Sequence, residues 1–250
     1  MTGPGQGDLT RVKALLFDLD GTLLGNDTEA FLQHYVPALA GVAGHHVPPE
    51  RFVAQLLCAT EAMIKSNDPT TTNEEVFAAA FYEPLGLVRA EWEPRFARFY
   101  AEDYPALSRL TGARPAARRV LDLAQARGHA LVVATNPVFP RVALMERLRW
   151  AKVADYPWDL ITDYETMHHC KPSLGYYHEI AALIGRRPDQ CLMIGNDVEE
   201  DMVAGRTGML TFLETSQPIQ RRPGPTGADF AGTLDELYQL LSAVPRGTSP

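Results

Sequence analysis

Cysteine is scarce in this chain of 250 residues: Cys58, Cys170 and Cys191 are the only three, none close to another. That excludes a disulfide scaffold and a structural zinc site, and it implies reduced thiols, with Cys191 in strand core. No run of about 18 apolar residues occurs, so no membrane span is expected. Positions 1–10 are glycine-rich, without the basic flank and apolar stretch of a signal peptide, and the expected location is the cytoplasm. Net positive charge is absent as well. The formal balance is −8, and no Lys/Arg run stands ready to neutralise a phosphate backbone, which argues against nucleic acid as a partner.

What remains is a globular composition, 46% hydrophobic and 22% charged, on a chain long enough for an α/β domain plus an insertion. Short apolar runs followed by turn residues recur at Ala14 to Phe17, Ala130 to Ala134, Leu160 to Ile161, Cys191 to Ile194 and Met209 to Leu213. Each reads as a buried strand. Amphipathic stretches lie between or after the later ones, at Ala116 to Arg127, Arg141 to Trp150, Leu174 to Ile184 and Glu199 to Gly205. This alternation predicts βαβ units in a doubly wound parallel sheet, α/β in class, covered on both faces.

The first interval breaks the rhythm. It is far too long for one crossover and carries helical periodicity at Glu29 to Leu39, Glu50 to Lys65, Glu74 to Phe81 and Trp92 to Tyr100, without a convincing period-two strand. We expect an inserted all-helical cap over 25–111, hinged near Leu24 to Asp27 and Leu110 to Arg114. The core is then 11–24 plus 112–250, after a disordered tail at 1–10. The interval's aromatic residues, Tyr82, Trp92, Phe96, Phe99, Tyr100 and Tyr104, suit helix packing, with room for one to line a substrate. Beyond a Pro/Gly/Arg-rich linker at 217–227, Ala228 to Phe230 reads as a last strand and Thr233 as the N-cap of a final helix, with Glu236 closing a capping box.

Chemistry-bearing residues gather at the carboxyl ends of four successive candidate strands. The first group is Asp18, Asp20 and Thr22, in Phe-Asp-Leu-Asp-Gly-Thr, with Gly21 permitting a loop that turns both carboxylates to one site. Two close carboxylates repel, and a divalent cation resolves the conflict; Mg²⁺ takes one or two carboxylates and leaves its other positions to water and phosphate oxygens. A calcium loop would need a third oxygen ligand before the glycine and a glutamate twelfth in the loop, and an ordinary solvated turn is the plainer alternative. Thr135 and Asn136 form the second group, able to hold phosphate oxygens, although Thr135 could equally be a helix N-cap. Lys171 is the third, just ahead of Pro172, which suits a first helical turn. His168 and His169 beside it carry no assigned role. The fourth group is Gly195-Asn196-Asp197 with Asp201, which falls one turn beyond Asp197 if a helix begins there; Glu199 and Glu200 then suit the helix dipole. If the first strand is central, with the second and third to one side and the fourth to the other, these groups meet where strand order reverses.

In Asp18-Leu19-Asp20-Gly21-Thr22 and the ordered set Thr135, Lys171, Asp197 and Asp201, the chain resembles the haloacid dehalogenase-like hydrolase superfamily, with a helical cap of the C1 type. The resemblance spans Val12 to Thr22 and most of Arg114 to Leu213. It implies Asp18 as nucleophile and Asp20 as general acid and base. Thr135, grouped with Thr22 and Asn136, would bind phosphate, and Lys171 would steady the phosphoryl group. Mg²⁺ would be held by Asp18, Asp20 and Asp197, with Asp201 a supporting partner. Asn196 contests Asp197's place where family members read Gly-Asp. Members acting on haloacids lack the second aspartate, so Asp20 favours a phosphatase. The expectation is a Mg²⁺-dependent phosphomonoester hydrolase working through an aspartyl-phosphate on a small phosphorylated metabolite, in the manner of a phosphoglycolate phosphatase. A phosphomutase or phosphotransferase, a dehalogenase, and a non-catalytic binding protein are the alternatives; oligomeric state is not specified.

Overall fold

In the computed structural model, which describes residues 8–245, six short strands form one all-parallel sheet: β1 (Ala14–Phe17), β4 (Ala130–Val133), β5 (Leu160–Ile161), β6 (Cys191–Gly195), β7 (Leu210–Glu214) and β8 (Phe230–Gly232). Their order is β5-β4-β1-β6-β7-β8, with β1 central, as the strand-reversal argument requires. Alternation along β1 explains why both faces are covered. Leu15 and Phe17 join Leu131, Val133, Leu192 and Ile194 in one core, while Ala14 and Leu16 join Val132, Cys191 and Met193 in another.

Helices α5 (Pro115–Ala126), α6 (Arg141–Trp150), α7 (Leu174–Leu183) and α8 (Leu234–Ala243) belong to this part. Pro115 opens α5, and Gly128, at φ +71°, follows its end, so the chain turns without a Cβ clash into β4. Thr233 and Glu236 form the expected capping box of α8. The last strand begins two residues later than its apolar pattern suggests, because the Asp229 carboxylate first accepts from the Thr211 backbone N–H on β7.

Between β1 and α5 the chain forms α1 (Thr28–Gly41), α2 (Pro49–Lys65), α3 (Asn73–Leu85) and α4 (Arg89–Glu102), which share a core of their own around Phe31, Phe52, Phe81, Trp92 and Tyr104. Among the described residues this interval adds no strand to the main sheet. It does contain two three-residue strands, β2 (Leu24–Asn26) and β3 (Thr111–Ala113), paired antiparallel where the chain leaves and rejoins the α/β part. They escaped the sequence pattern because three residues are too few to show alternation. The helical core continues onto α6 through Ala143, with Trp150 stacked on Tyr104 at 5.2 Å.

Three expectations need correction. The 199–205 stretch is not an α-helix: turns lead into a 3-10 helix, Met202–Thr207. Pro172 precedes the N-cap Ser173 of α7 and lies outside its first turn. Of the tail assigned as disordered, 8–10 is ordered, with Asp8 capping a 3-10 turn at Leu9–Arg11, while 1–7 lies outside the described residues. No helix among the described residues is long and apolar enough to cross a membrane.

Candidate active site

The loop after β1 is built on Gly21. Its φ is +80°, and a Cβ there would lie 2.2 Å from the Asn196 side-chain nitrogen, so only glycine lets the loop close over the end of β6. Arg114, at the far hinge, donates from Nη1 to the carbonyls of Gly21 and Thr22 at 2.7 and 2.9 Å, and from Nη2 to buried Glu214 at 2.7 Å. Arg114 thereby ties the loop to both the hinge and β7.

Asp18 is buried at the end of β1, and its Oδ1 accepts from Lys171 Nζ at 2.9 Å. The same ammonium donates to Asp201 at 2.6 Å. One buried cation therefore serves two buried carboxylates. Burial pushes the Asp18 carboxyl up to about 8; Lys171 opposes the rise and Asp201 adds to it. Lys171 itself, though burial disfavours its charge, is held well above the usual lysine range by those two carboxylates. Gly195 makes room for the arrangement, since a Cβ there would meet an Asp201 oxygen at 2.1 Å.

Asp20 has partners of its own. Asn26 donates to Oδ1 at 3.0 Å and Arg147, from α6, to Oδ2 at 2.6 Å. Arg147 is only 3% exposed in its side chain, donates also to the Tyr104 hydroxyl at 2.7 Å and lies over the Phe139 ring at 3.9 Å. Asp197 caps the turn that follows it, accepting from the Glu199 and Glu200 N–H groups at 3.0 Å, and is gripped by Arg221 at 2.9 and 2.7 Å. Asp201 stays one turn away through reciprocal bonds: its N–H donates to the Asp197 carbonyl, and its Oδ2 accepts from the Asp197 N–H. The turn replaces the expected helix and still brings Asp201 back to the site.

Asp18, Asp20, Thr135, Asn136, Asn196, Asp197 and Asp201 all line one cavity of about 380 Å³ between the sheet's carboxyl edge and the helical part. Thr135 is not an N-cap, because α6 begins only at Arg141; its carbonyl is fixed by the hydroxyls of Thr162 and Tyr176, each at 2.7 Å. Asn136 is braced by the Lys171 N–H at 3.2 Å and by Glu200 at 3.4 Å. Two expected members sit behind the wall. Thr22 is fully buried with its hydroxyl 3.4 Å from Asn196 Oδ1, outside the cavity lining, and Lys171 reaches the site only through Asp18 and Asp201. Of the aromatic residues singled out between 82 and 104, Tyr82, Phe96 and Tyr100 face the cavity, whereas Trp92, Phe99 and Tyr104 pack in the core.

The metal trio expected from the sequence does not assemble as such: among the described residues no group of three or more His, Cys, Asp or Glu side chains could hold a metal. Each of the three carboxylates faces a cation instead: Lys171, shared with Asp201, for Asp18, Arg147 for Asp20 and Arg221 for Asp197. The donor set nevertheless suits a hard cation. Asp18 and Asp197 bring carboxylate oxygens to one cavity, and Mg²⁺ needs only one or two carboxylates. Asn196 is the weaker candidate, because its oxygen belongs to a neutral amide, whose nitrogen donates to the Gln217 carbonyl at 2.7 Å beneath Gly21.

Arg147, Arg221, Arg114 and Glu214 were invisible to motif reading. A lone arginine in an amphipathic helix or a polar linker looks like any solvated charge.

Residues 12–208 match the family model of the haloacid dehalogenase-like hydrolases, most of the chain. The chain belongs to that family. Among relatives of this hydrolase, a phosphoglycolate phosphatase of Rhodospirillum rubrum is 27% identical over 238 residues, covering 90% of each chain. Another, from Pectobacterium atrosepticum, is 28% identical over 226 residues, covering 84% of this chain and 88% of its own. The fold is shared with a HAD phosphatase from Thermococcus onnurineus, TM-score 0.59 at 20% identity, covering 94% of this chain and 100% of the other.

Proposed function

We propose that this hydrolase cleaves phosphate monoesters of small metabolites with Mg²⁺, through a phosphoryl group carried on Asp18, and that the helical part at 25–111 caps the site. The observation that carries this reading is the Lys171 ammonium bridging Asp18 and Asp201 behind a cavity that Asp20, Thr135, Asn136 and Asp197 also line. A scaffold protein would gain nothing from burying those charges together.

An Asp18 carboxylate oxygen attacks phosphorus, and the bond from phosphorus to the ester oxygen breaks. Asp20, protonated, gives its proton to the departing alkoxide; it then takes one from water, whose oxygen attacks phosphorus and frees Asp18 and inorganic phosphate. Arg147 and Asn26 hold Asp20 in place for both transfers. Thr135 and Asn136 provide a hydroxyl and an amide for phosphoryl oxygens, with Lys171 positive directly behind the nucleophile. Mg²⁺, held by Asp18 and Asp197, would neutralise charge on the transferring group, and Arg221 would have to release Asp197 for it. Asp20, with both oxygens engaged, is left to proton transfer.

Phosphoglycolate, named for two relatives, is the first substrate to test. A metabolite panel read by phosphate release, with Mg²⁺ and with excess EDTA, decides the matter. Turnover is expected with the metal and should fall at least about 10²-fold with the chelator. Silence across the panel with Mg²⁺ present would overturn the hydrolase reading.

A further inference from the structure

The cavity has two unlike walls. Around the sheet edge it carries five carboxylates and, among the described residues, two cations, Arg147 and Arg221. Both cations are engaged, Arg147 with Asp20 and Arg221 with Asp197. The opposite wall comes from 25–111, and none of its fifteen lining residues is charged. Phe77, Phe81, Tyr82 and Phe96 stack there in one aromatic cluster, with ring centroids 5.0 to 6.4 Å apart. The Tyr35 and Tyr100 hydroxyls, on the same wall, share one hydrogen bond at 2.7 Å, which leaves a single neutral O–H to donate and no positive charge. Leu32 and Leu57 also line the cavity while 40% and 60% exposed, an apolar surface that no neighbour in the chain covers.

With a phosphate held at Asp18, Thr135 and Asn136, the space left for the leaving group is the rest of the cavity, which that uncharged wall bounds. In phosphoglycolate the carboxylate lies one methylene beyond the ester oxygen, so it would be buried with the phosphate. It would meet aromatic rings, Glu200 and Asp20; Arg147 stays on Asp20, and Arg221, once released from Asp197, still faces Glu199 at 3.6 Å and Glu200 at 3.9 Å, so among the described residues lining the cavity no cation lacks a carboxylate partner. Taking a carboxylate out of water without a partner is strongly unfavourable, whereas an aryl or branched alkyl group gains by leaving water for the same surface.

We propose that this cavity selects phosphate monoesters whose leaving group is uncharged and largely apolar, and discriminates against those bearing a carboxylate. This deepens the hydrolase reading and rests on it for turnover, but the selectivity is measurable by binding alone. The Mg²⁺-loaded protein is titrated calorimetrically with two non-hydrolysable probes, phenylethylphosphonate and phosphonopropionate, which mimic benzyl phosphate and phosphoglycolate. The aryl probe should bind at least about tenfold more tightly, and kcat/KM for benzyl phosphate should exceed that for phosphoglycolate by about 10–200-fold. Leu57→Arg, at an exposed rim position, should shift the binding ratio towards phosphonopropionate by supplying the missing cation. Equal or tighter binding of phosphonopropionate by the unaltered protein, or equal turnover of phosphoglycolate, overturns the proposal. Tighter aryl binding without hydrolysis of either ester would sustain the selectivity and defeat the hydrolase reading, and binding of neither probe would overturn both.

Discussion

The two walls of the cavity are made by opposite physical means. The α/β wall concentrates charge that would be ruinous alone, and each carboxylate is offset by a cation from a remote segment: Lys171 lies 153 residues from Asp18, and Arg147 lies 127 from Asp20. The helical wall excludes charge and relies on aromatic packing. Reaction chemistry needs positioned charge, which costs stability; recognition of an apolar group needs only a shaped, dry surface. One fold supplies both because the helical part follows directly on β1, the strand that ends at Asp18.

The comparison breaks most severely at Asp18. Asp18→Asn should keep the circular-dichroism spectrum and lower phosphate release by roughly 10⁴-fold or more, and near-normal turnover in that variant would end the mechanism. Next is Lys171→Met, which leaves Asp18 and Asp201 buried without their shared cation. Urea unfolding should report about 3–5 kcal/mol of lost stability, together with a fall in activity. Arg147→Met probes the place where the two walls touch, since its guanidinium holds Asp20, bonds Tyr104 and packs over Phe31 and Phe139. We expect a loss of about 2–5 kcal/mol, measured the same way, and an unchanged midpoint would mean that the pair is dispensable.

A pH dependence tests the charge state of Asp18 itself. Burial raises the Asp18 carboxyl from 3.8 to about 8 in the folded protein, so the unaltered chain loses stability as pH climbs through that window, where the unfolded chain ionises freely. The side-chain amide of the Asp18→Asn variant cannot ionise. The variant's advantage in melting temperature, measured with EDTA present, should be near zero at about pH 4 and grow to at least ~2–4 °C by pH 8. A difference that shrank with rising pH would show that Asp18 is stabilised as the carboxylate.

Strand and helix positions were legible because alternation and helical periodicity are local. α6 falls at the residues its pattern gives, and β1 and β5 likewise. That Asp18, Asp20, Thr135, Asn136 and Asp197 meet at one cavity was legible for a related reason, since a strand's carboxyl end is a place that sequence can mark. Thr22 was misassigned because a motif position does not say whether a side chain points to the cavity or beneath the loop. The 199–205 stretch was misread because its amphipathic pattern fits an α-helix, whereas Asp197 caps a tighter turn that serves Asp201. Arg147 and Arg221 could not be read at all, because what they do depends on which distant carboxylate they meet.

Local pattern alone therefore determined the α/β class, the helical insertion and the strand ends where chemistry collects, since hydrophobic periodicity and turn residues act over a few positions. Only the tertiary structure decided which cation faces which carboxylate, that no group of three metal-binding side chains gathers among the described residues, and that the wall opposite Asp18 is uncharged. Those properties arise from packing between segments 24 to 153 residues apart, where burial and Coulomb attraction act through space.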